Sequence, residues 1–130
     1  MKQVIAVLAA VIAGFVALAA VTFLSSMIYP APEGLDVNDA EAMRAYVESV
    51  PIGGKLIVLA SWVIGAFVAG FVAQKMAPDG KGMVSAMIAG AVLLLAGIMN
   101  ALNIPHPLWM TIIGLLQYIP VASIGAEVAE

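Results

Sequence analysis

The chain has 130 residues, of which 64% are hydrophobic and only 10% are charged. Soluble globular domains are nearer half apolar and a quarter charged, so this composition excludes a water-soluble globular fold and a disordered chain. The net charge of −3 offers no basic surface for nucleic acid. The length fits a single domain over residues 1–130. These totals predict a small integral membrane protein.

Four apolar segments approach the roughly 20 residues needed to cross the hydrocarbon core of a membrane. None of the four contains a charged side chain. Because backbone polar groups cannot stay unpaired in lipid, each segment is predicted to be a helix. The predicted spans are residues 4–28, 56–73, 83–102 and 107–124. The first apolar run exceeds the roughly 7–15 residues of a secretory signal, so we expect it to stay in the protein as a membrane helix.

The connections between the spans predict how the helices are arranged. Residues 78–82 and 103–107 are short and contain proline and other turn residues. Such breakers end one helix and reverse the chain before the next. Neighbouring helices joined this way are predicted to be antiparallel. The fold class is therefore all-α, an antiparallel four-helix membrane bundle.

The longest polar stretch, residues 30–54, separates the first two spans and holds five acidic residues and one arginine. Asn38 is predicted to cap a short helix, and Glu41 three residues later completes a capping box. Apolar side chains follow at helical spacing, at Met43, Tyr46, Val47 and Val50. The pattern predicts an amphipathic helix in this extramembrane loop, resting on the membrane surface or on the end of the bundle.

Basic residues near the ends of membrane helices favour the cytoplasmic side. Lys2, Lys75 and Lys81 fall on one side of the predicted bundle, against Arg44 and Lys55 on the other. We therefore expect a multi-pass protein with both termini in the cytoplasm and the acidic loop outside. In a bacterial inner membrane, outside is the periplasm.

Small residues recur at four-residue spacing in the first three spans. Such faces let helix backbones approach closely in a membrane. The candidate packing residues are Ala10, Gly14, Gly65, Ala66, Gly70 and Gly90. The first span carries two such faces, more than one neighbouring helix needs. The second face predicts a homo-oligomer or contact with another membrane protein.

Chemically reactive groups are scarce. No ionisable side chain lies within a span, which argues against proton- or ion-coupled transport. The chain has no cysteine and one histidine, and its serines stand in no nucleophile motif, so we expect no catalytic residues, no metal, no cofactor and no enzyme activity. Polar residues in and near the third and fourth spans are candidates for a solute or lipid-headgroup site: Asn100, Asn103, His106, Trp109 and Gln117. Interhelical hydrogen bonds, or a solvated turn for His106, are the alternative roles.

Several short motifs are spread over most of the chain. They are Tyr29-Pro30, Gly34-Leu35-Asp36, Ser61-Trp62, Gly65-Ala66-Phe67, Gly97-Ile98, Asn100 and Ile104-Pro105-His106-Pro107. Together they resemble a group of small bacterial four-helix inner-membrane proteins of unknown activity. The resemblance implies a bacterial membrane protein and supplies no substrate, cofactor or site residue.

Three function classes remain, and the third, a membrane enzyme, is the least favoured because the chain offers no recognisable catalytic set. One is an interaction, scaffold or accessory subunit that packs through its small-residue faces, as a homo-oligomer or with another membrane protein. The alternative is an oligomeric channel, carrier or lipid-binding protein for a neutral or lipid-like solute, with Ser85, Asn100 and Gln117 facing one another. A dry bundle core favours the first class. A continuous cavity of roughly several hundred Å³ with a polar lining, or an acyl chain ordered between the helices, favours the second.

Overall fold

A computed structural model describes residues 2–30, 34–36, 38–103 and 107–130. Among these residues helices are the only regular secondary structure, which confirms the predicted all-α class. The five helices are α1 (Lys2–Ile28), α2 (Ala40–Ser49), α3 (Ile52–Met76), α4 (Gly82–Asn103) and α5 (Leu108–Ala129). Helices α1, α3, α4 and α5 are long and apolar enough to cross a membrane.

The long helices extend beyond the apolar spans predicted for them. Helix α3 begins at Ile52, four residues before its predicted span, and α5 continues through Glu127. An apolar run shows which residues tolerate lipid, whereas a helix ends only where its backbone hydrogen bonds end. At α3 the preceding Pro51 fixes the start, since its carbonyl accepts the bond from the Lys55 N–H at 3.2 Å.

The four long helices pack around a core made mostly of alanine. Their order around the bundle is α1, α3, α5, α4, and α3 also contacts α4 across the centre. The buried core cluster contains seven alanines, with Leu93 and Tyr118 as its only larger members among the described residues. Such small side chains allow the helix axes to approach closely, where dispersion contacts accumulate.

Glycines mark the closest helix contacts. A Cβ atom on Gly70 of α3 would overlap the backbone of Ala122 in α5, and one on Gly125 would overlap the carbonyl oxygen of Phe67. Between α4 and α5, a Cβ on Gly90 would lie 3.0 Å from the Tyr118 carbonyl oxygen. All six candidate packing residues from the sequence are buried.

Helix α2 caps one end of the bundle. Its N-cap is Asp39, whose carboxylate accepts from the N–H groups of Glu41 and Ala42. The prediction that Asn38 is the cap was wrong by one residue, because the Asn38 N–H instead donates to the Asp36 carboxylate at 2.9 Å and the chain is still turning there. The predicted apolar face is confirmed, since its first and third members, Met43 and Val47, are buried.

Candidate functional site

A cavity of about 430 Å³ lies at the end of the bundle that α2 covers. All five helices contribute to its walls. Its volume falls within the roughly 300–1,000 Å³ of typical small-molecule sites. The interior at this end is therefore open, unlike the alanine core on the other side.

Helix α1 lines the cavity over half its length. Three polar residues of α1, Thr22, Ser25 and Ser26, share one face at positions i, i+3 and i+4, and Tyr29, directly after the helix, continues it at i+7. Leu18 and Phe15 continue the same wall toward the middle of the bundle. The wall therefore changes from polar near α2 to apolar at depth.

One hydrogen bond across α1 and α3 fixes the polar part of this wall. The Thr22 hydroxyl donates to Ser61 Oγ at 3.3 Å, and Ser61 donates in turn to the Val58 carbonyl. Ser61 is fully buried, so this chain of bonds satisfies a hydroxyl that has no access to solvent.

Two aromatic side chains, one from α3 and one from α5, form another part of the cavity wall. Trp62 of α3 packs onto Gly114 of α5, where a Cβ atom would overlap the indole ring. Tyr118 of α5 packs onto Gly97 of α4, where a Cβ atom would lie 2.9 Å from the tyrosine Cε2. Because these two glycines have no side chain, the rings can pack against the helix backbone, and this fixes the position of the rings in the cavity wall.

Tyr29 lies at the α2 end of the cavity, packed on the first turn of α3. A Cβ on Gly54 would lie 3.2 Å from Tyr29 Cδ2, and one on Gly53 would lie 2.8 Å from the Tyr29 hydroxyl oxygen. Tyr46 of α2 and Lys55 of α3 line the same end. Of the described residues that line the cavity, Lys55 alone carries a charge.

The structure brings one of the five predicted ligand-binding residues to this cavity, Asn100 of α4. Asn103 is exposed, and its amide donates to the Met99 carbonyl at 2.8 Å within its own helix. It lines a separate surface pocket that also includes Arg44 of α2. His106 lies outside the described residues.

The remaining two predicted residues are on α5 and face away from the cavity. Trp109 is 39% exposed. Gln117 is half-buried and donates from its amide to the Gly114 carbonyl at 3.0 Å. Their sequence neighbours, Met110 and Tyr118, line the cavity instead. Successive residues on a helix point about 100° apart, which separates each pair.

Among the described residues, three buried side-chain atoms have no hydrogen-bond partner: Gln74 Oε1, Ser85 Oγ and Gln117 Oε1. None of these residues lines the large cavity. The structure therefore does not bring Ser85 and Gln117 together with Asn100 in one polar lining.

Comparisons of the chain with protein-family models, curated proteins and solved structures find no match. Among the described residues, no group of three or more His, Asp or Glu side chains is placed to hold a metal ion. The chemistry of the cavity is that of its walls, which are mostly apolar with a few hydroxyl, amide and phenol groups and the Lys55 ammonium. Such a lining suits a largely apolar molecule bearing a few polar atoms.

Proposed function

We propose that this chain is an integral membrane protein that binds one lipid-like or otherwise largely apolar small molecule in the cavity beneath α2. The observation that carries the proposal is the cavity itself, about 430 Å³ of open space in a bundle packed elsewhere through alanine and glycine. A protein serving only as a scaffold has no need of such a space, because filling it with larger side chains would stabilise the fold.

Membrane insertion is supported by the outer surface of the bundle. Large apolar side chains are exposed on all four long helices, including Leu8, Phe23, Leu56, Leu95, Leu116 and Ile124. Soluble monomers rarely expose such extensive apolar surface. Lipid would cover this surface and make it favourable rather than costly.

The contacts between α1 and α3, the first two membrane-spanning helices, support an antiparallel arrangement. Thr22, late in α1, contacts Ser61, early in α3, whereas Gly14 contacts Gly65 and Ala69 further along α3. We propose that both termini are cytoplasmic and that α2 lies on the periplasmic face of a bacterial inner membrane. The positions of the basic residues favour this orientation.

Orientation can be tested directly because the chain has no cysteine. Single variants Ser49→Cys and Asp79→Cys place a thiol on α2 and on the α3–α4 turn, both at exposed positions. In intact cells, a membrane-impermeant maleimide should label the first and spare the second until the cells are opened. Labelling of both in intact cells, or of Asp79→Cys alone, contradicts the proposed orientation.

Ligand binding is tested by filling the cavity. Ala96 of α4 lines it, so Ala96→Phe should displace a molecule that the unaltered protein retains through gentle purification from its native membrane. Ala20→Phe is the matched control, since Ala20 is exposed on α1 and lies outside the cavity. Mass spectrometry of the released small molecules should show a species present in the unaltered and Ala20→Phe proteins and lost from Ala96→Phe. Equal retention by all three contradicts the proposal.

A second candidate function is favoured by the free side of α1. Its face bearing Ala10 and Gly14 is buried, while the second small-residue face, at Ala9, Ala13 and Ala17, remains half-buried. That face suits a second copy or another membrane protein in a scaffold. Native mass spectrometry discriminates the two functions: a dimer dissociated by Ala13→Leu and carrying no small molecule supports the scaffold.

A further inference from the structure

We propose that the cavity takes a single-chain amphiphile with an anionic headgroup, with the head beside Lys55 and the chain extending along α1 toward Phe15. The inference rests on the proposed ligand-binding function and specifies its ligand class. Three independent features of the cavity support it: the polarity gradient, the position of the charge and the volume.

The polarity gradient along the cavity indicates the orientation in which the ligand binds. Tyr29, Tyr46 and Lys55 line the α2 end, and Phe15, Leu18 and Leu93 line the opposite end. From Phe15 to Tyr29 the chain advances by fourteen residues, which corresponds to about 21 Å at 1.5 Å per residue of helix. An elongated molecule with one polar end matches this path, whereas a compact apolar molecule would match only its deep, apolar part.

The positive charge of Lys55 favours a ligand with a negatively charged headgroup. Lys55 is half-buried one turn into α3, and among the described residues no carboxylate forms an ion pair with it. A partly desolvated ammonium gains most from an anionic oxygen, because charge-assisted hydrogen bonds are about twice as strong as neutral ones. A fatty-acid carboxylate supplies that oxygen, and a cationic head would be repelled.

The volume limits the number of chains. At about 430 Å³ the cavity lies toward the small end of the range for drug-sized ligands, roughly 300–1,000 Å³. One alkyl chain and a small head occupy such a space. The second chain and glycerol phosphate head of a membrane phospholipid would have to remain outside.

The experiment uses Trp62 as a reporter, because it lines the cavity and the chain has only one other tryptophan. In a Trp109→Phe background, purified full-length protein in amphipol is titrated with palmitate brominated on its chain. The brominated alcohol of equal chain length, a trimethylammonium analogue and a brominated phosphatidylglycerol are the comparison ligands. Bromine quenches tryptophan fluorescence on contact, so quenching reports a chain inside the cavity.

We expect the acid to quench at the lowest concentration. Lys55→Gln should weaken the acid about tenfold, the equivalent of one charge-assisted bond, and leave the alcohol unchanged. Lys55→Arg should retain binding. Lys75→Gln, at the exposed far end of α3, is the matched control and should have no effect.

The other outcomes separate the inference from the function on which it rests. Equal binding of acid and alcohol, unaffected by Lys55→Gln, overturns the anionic-head inference and leaves the ligand-binding function standing. Tighter binding of phosphatidylglycerol than of palmitate overturns the single-chain inference. Quenching by none of the ligands overturns both the inference and the proposed function.

Discussion

Gly14 of α1 and Gly65 of α3 place their backbones in direct contact. A Cβ on Gly14 would lie 2.9 Å from the Gly65 carbonyl oxygen, and one on Gly65 would lie 3.0 Å from the Gly14 carbonyl oxygen. The Cβ on Gly14 would also lie 3.4 Å from Cδ1 of Leu93, a residue that lines the deep end of the cavity. This close crossing of α1 and α3 therefore lies directly behind a side chain that lines the deep end of the cavity.

Enlarging Gly65 should separate these two helices. The variant Gly65→Leu inserts four carbons where even one is too close to the facing backbone, so it should lower the free energy of unfolding by about 1–3 kcal/mol or more. The measurement is thermal unfolding of the purified protein in a mild detergent. Ala60→Leu, at an exposed position of the same helix, is the control and should unfold like the unaltered protein. Equal stability of Gly65→Leu and the control would refute direct backbone contact at this crossing.

The α3–α5 contact is predicted to be less tolerant still. A Cβ on Gly70 overlaps the carbonyl oxygen of Ala122, and a backbone group cannot rotate aside as a side chain can. Gly70→Ala should therefore cost more stability than Gly65→Ala, although both add a single methyl group. The two alanine variants are compared by the same thermal unfolding measurement. The reverse order would mean that α5 shifts more easily than α1.

The sequence predicts the helices well because their cause is local. Uncharged apolar runs of membrane-spanning length indicate a helix whatever surrounds them, and the spacing of Met43 and Val47 indicates the buried face of α2 without reference to the bundle. The cap of α2 was misplaced by one residue, since Asn38 and Asp39 are both good N-caps and the neighbouring Asp36 decides between them.

The cavity was harder to predict because it depends on how the helices are rotated. Polarity correctly indicates Asn100, but it also indicates Gln117 and Trp109, whereas Tyr118 and Met110, each one residue further along α5, line the cavity. Polarity alone cannot indicate the rotation of a helix that is apolar all round. The sequence does contain one signal for this wall, because the polar residues Thr22, Ser25, Ser26 and Tyr29 recur at helical spacing on a single face.

Removing the Tyr29 ring should open the α2 end of the cavity. The ring packs on Gly53 and Gly54, so Tyr29→Ala leaves a gap above the polar wall. In the Trp109→Phe background, acrylamide should then quench Trp62 more efficiently, with a loss of about 1 kcal/mol in stability. Tyr29→Phe keeps the ring and should behave like the parent. Unchanged quenching in Tyr29→Ala would show that α2 alone closes this end.

The hydrogen bond from Thr22 to Ser61 should contribute less than the glycine contacts. Thr22→Val keeps the shape of the side chain and removes only the donor, while Ser61 still donates to the Val58 carbonyl. Interhelical hydrogen bonds in membrane proteins average about 0.6 kcal/mol, because the separated helices also find partners. The expected loss in thermal unfolding is therefore a fraction of that in Gly65→Leu.

Ser26→Ala is the matched control for this change. Its hydroxyl donates to the Thr22 carbonyl at 3.2 Å within α1 and is exposed, so its removal should be nearly neutral. If Thr22→Val instead destabilises the protein as much as Gly65→Leu, polar contacts rather than close backbone packing hold α1 to α3. The polar wall of the cavity would then be a structural element first, and its composition would carry less information about the ligand.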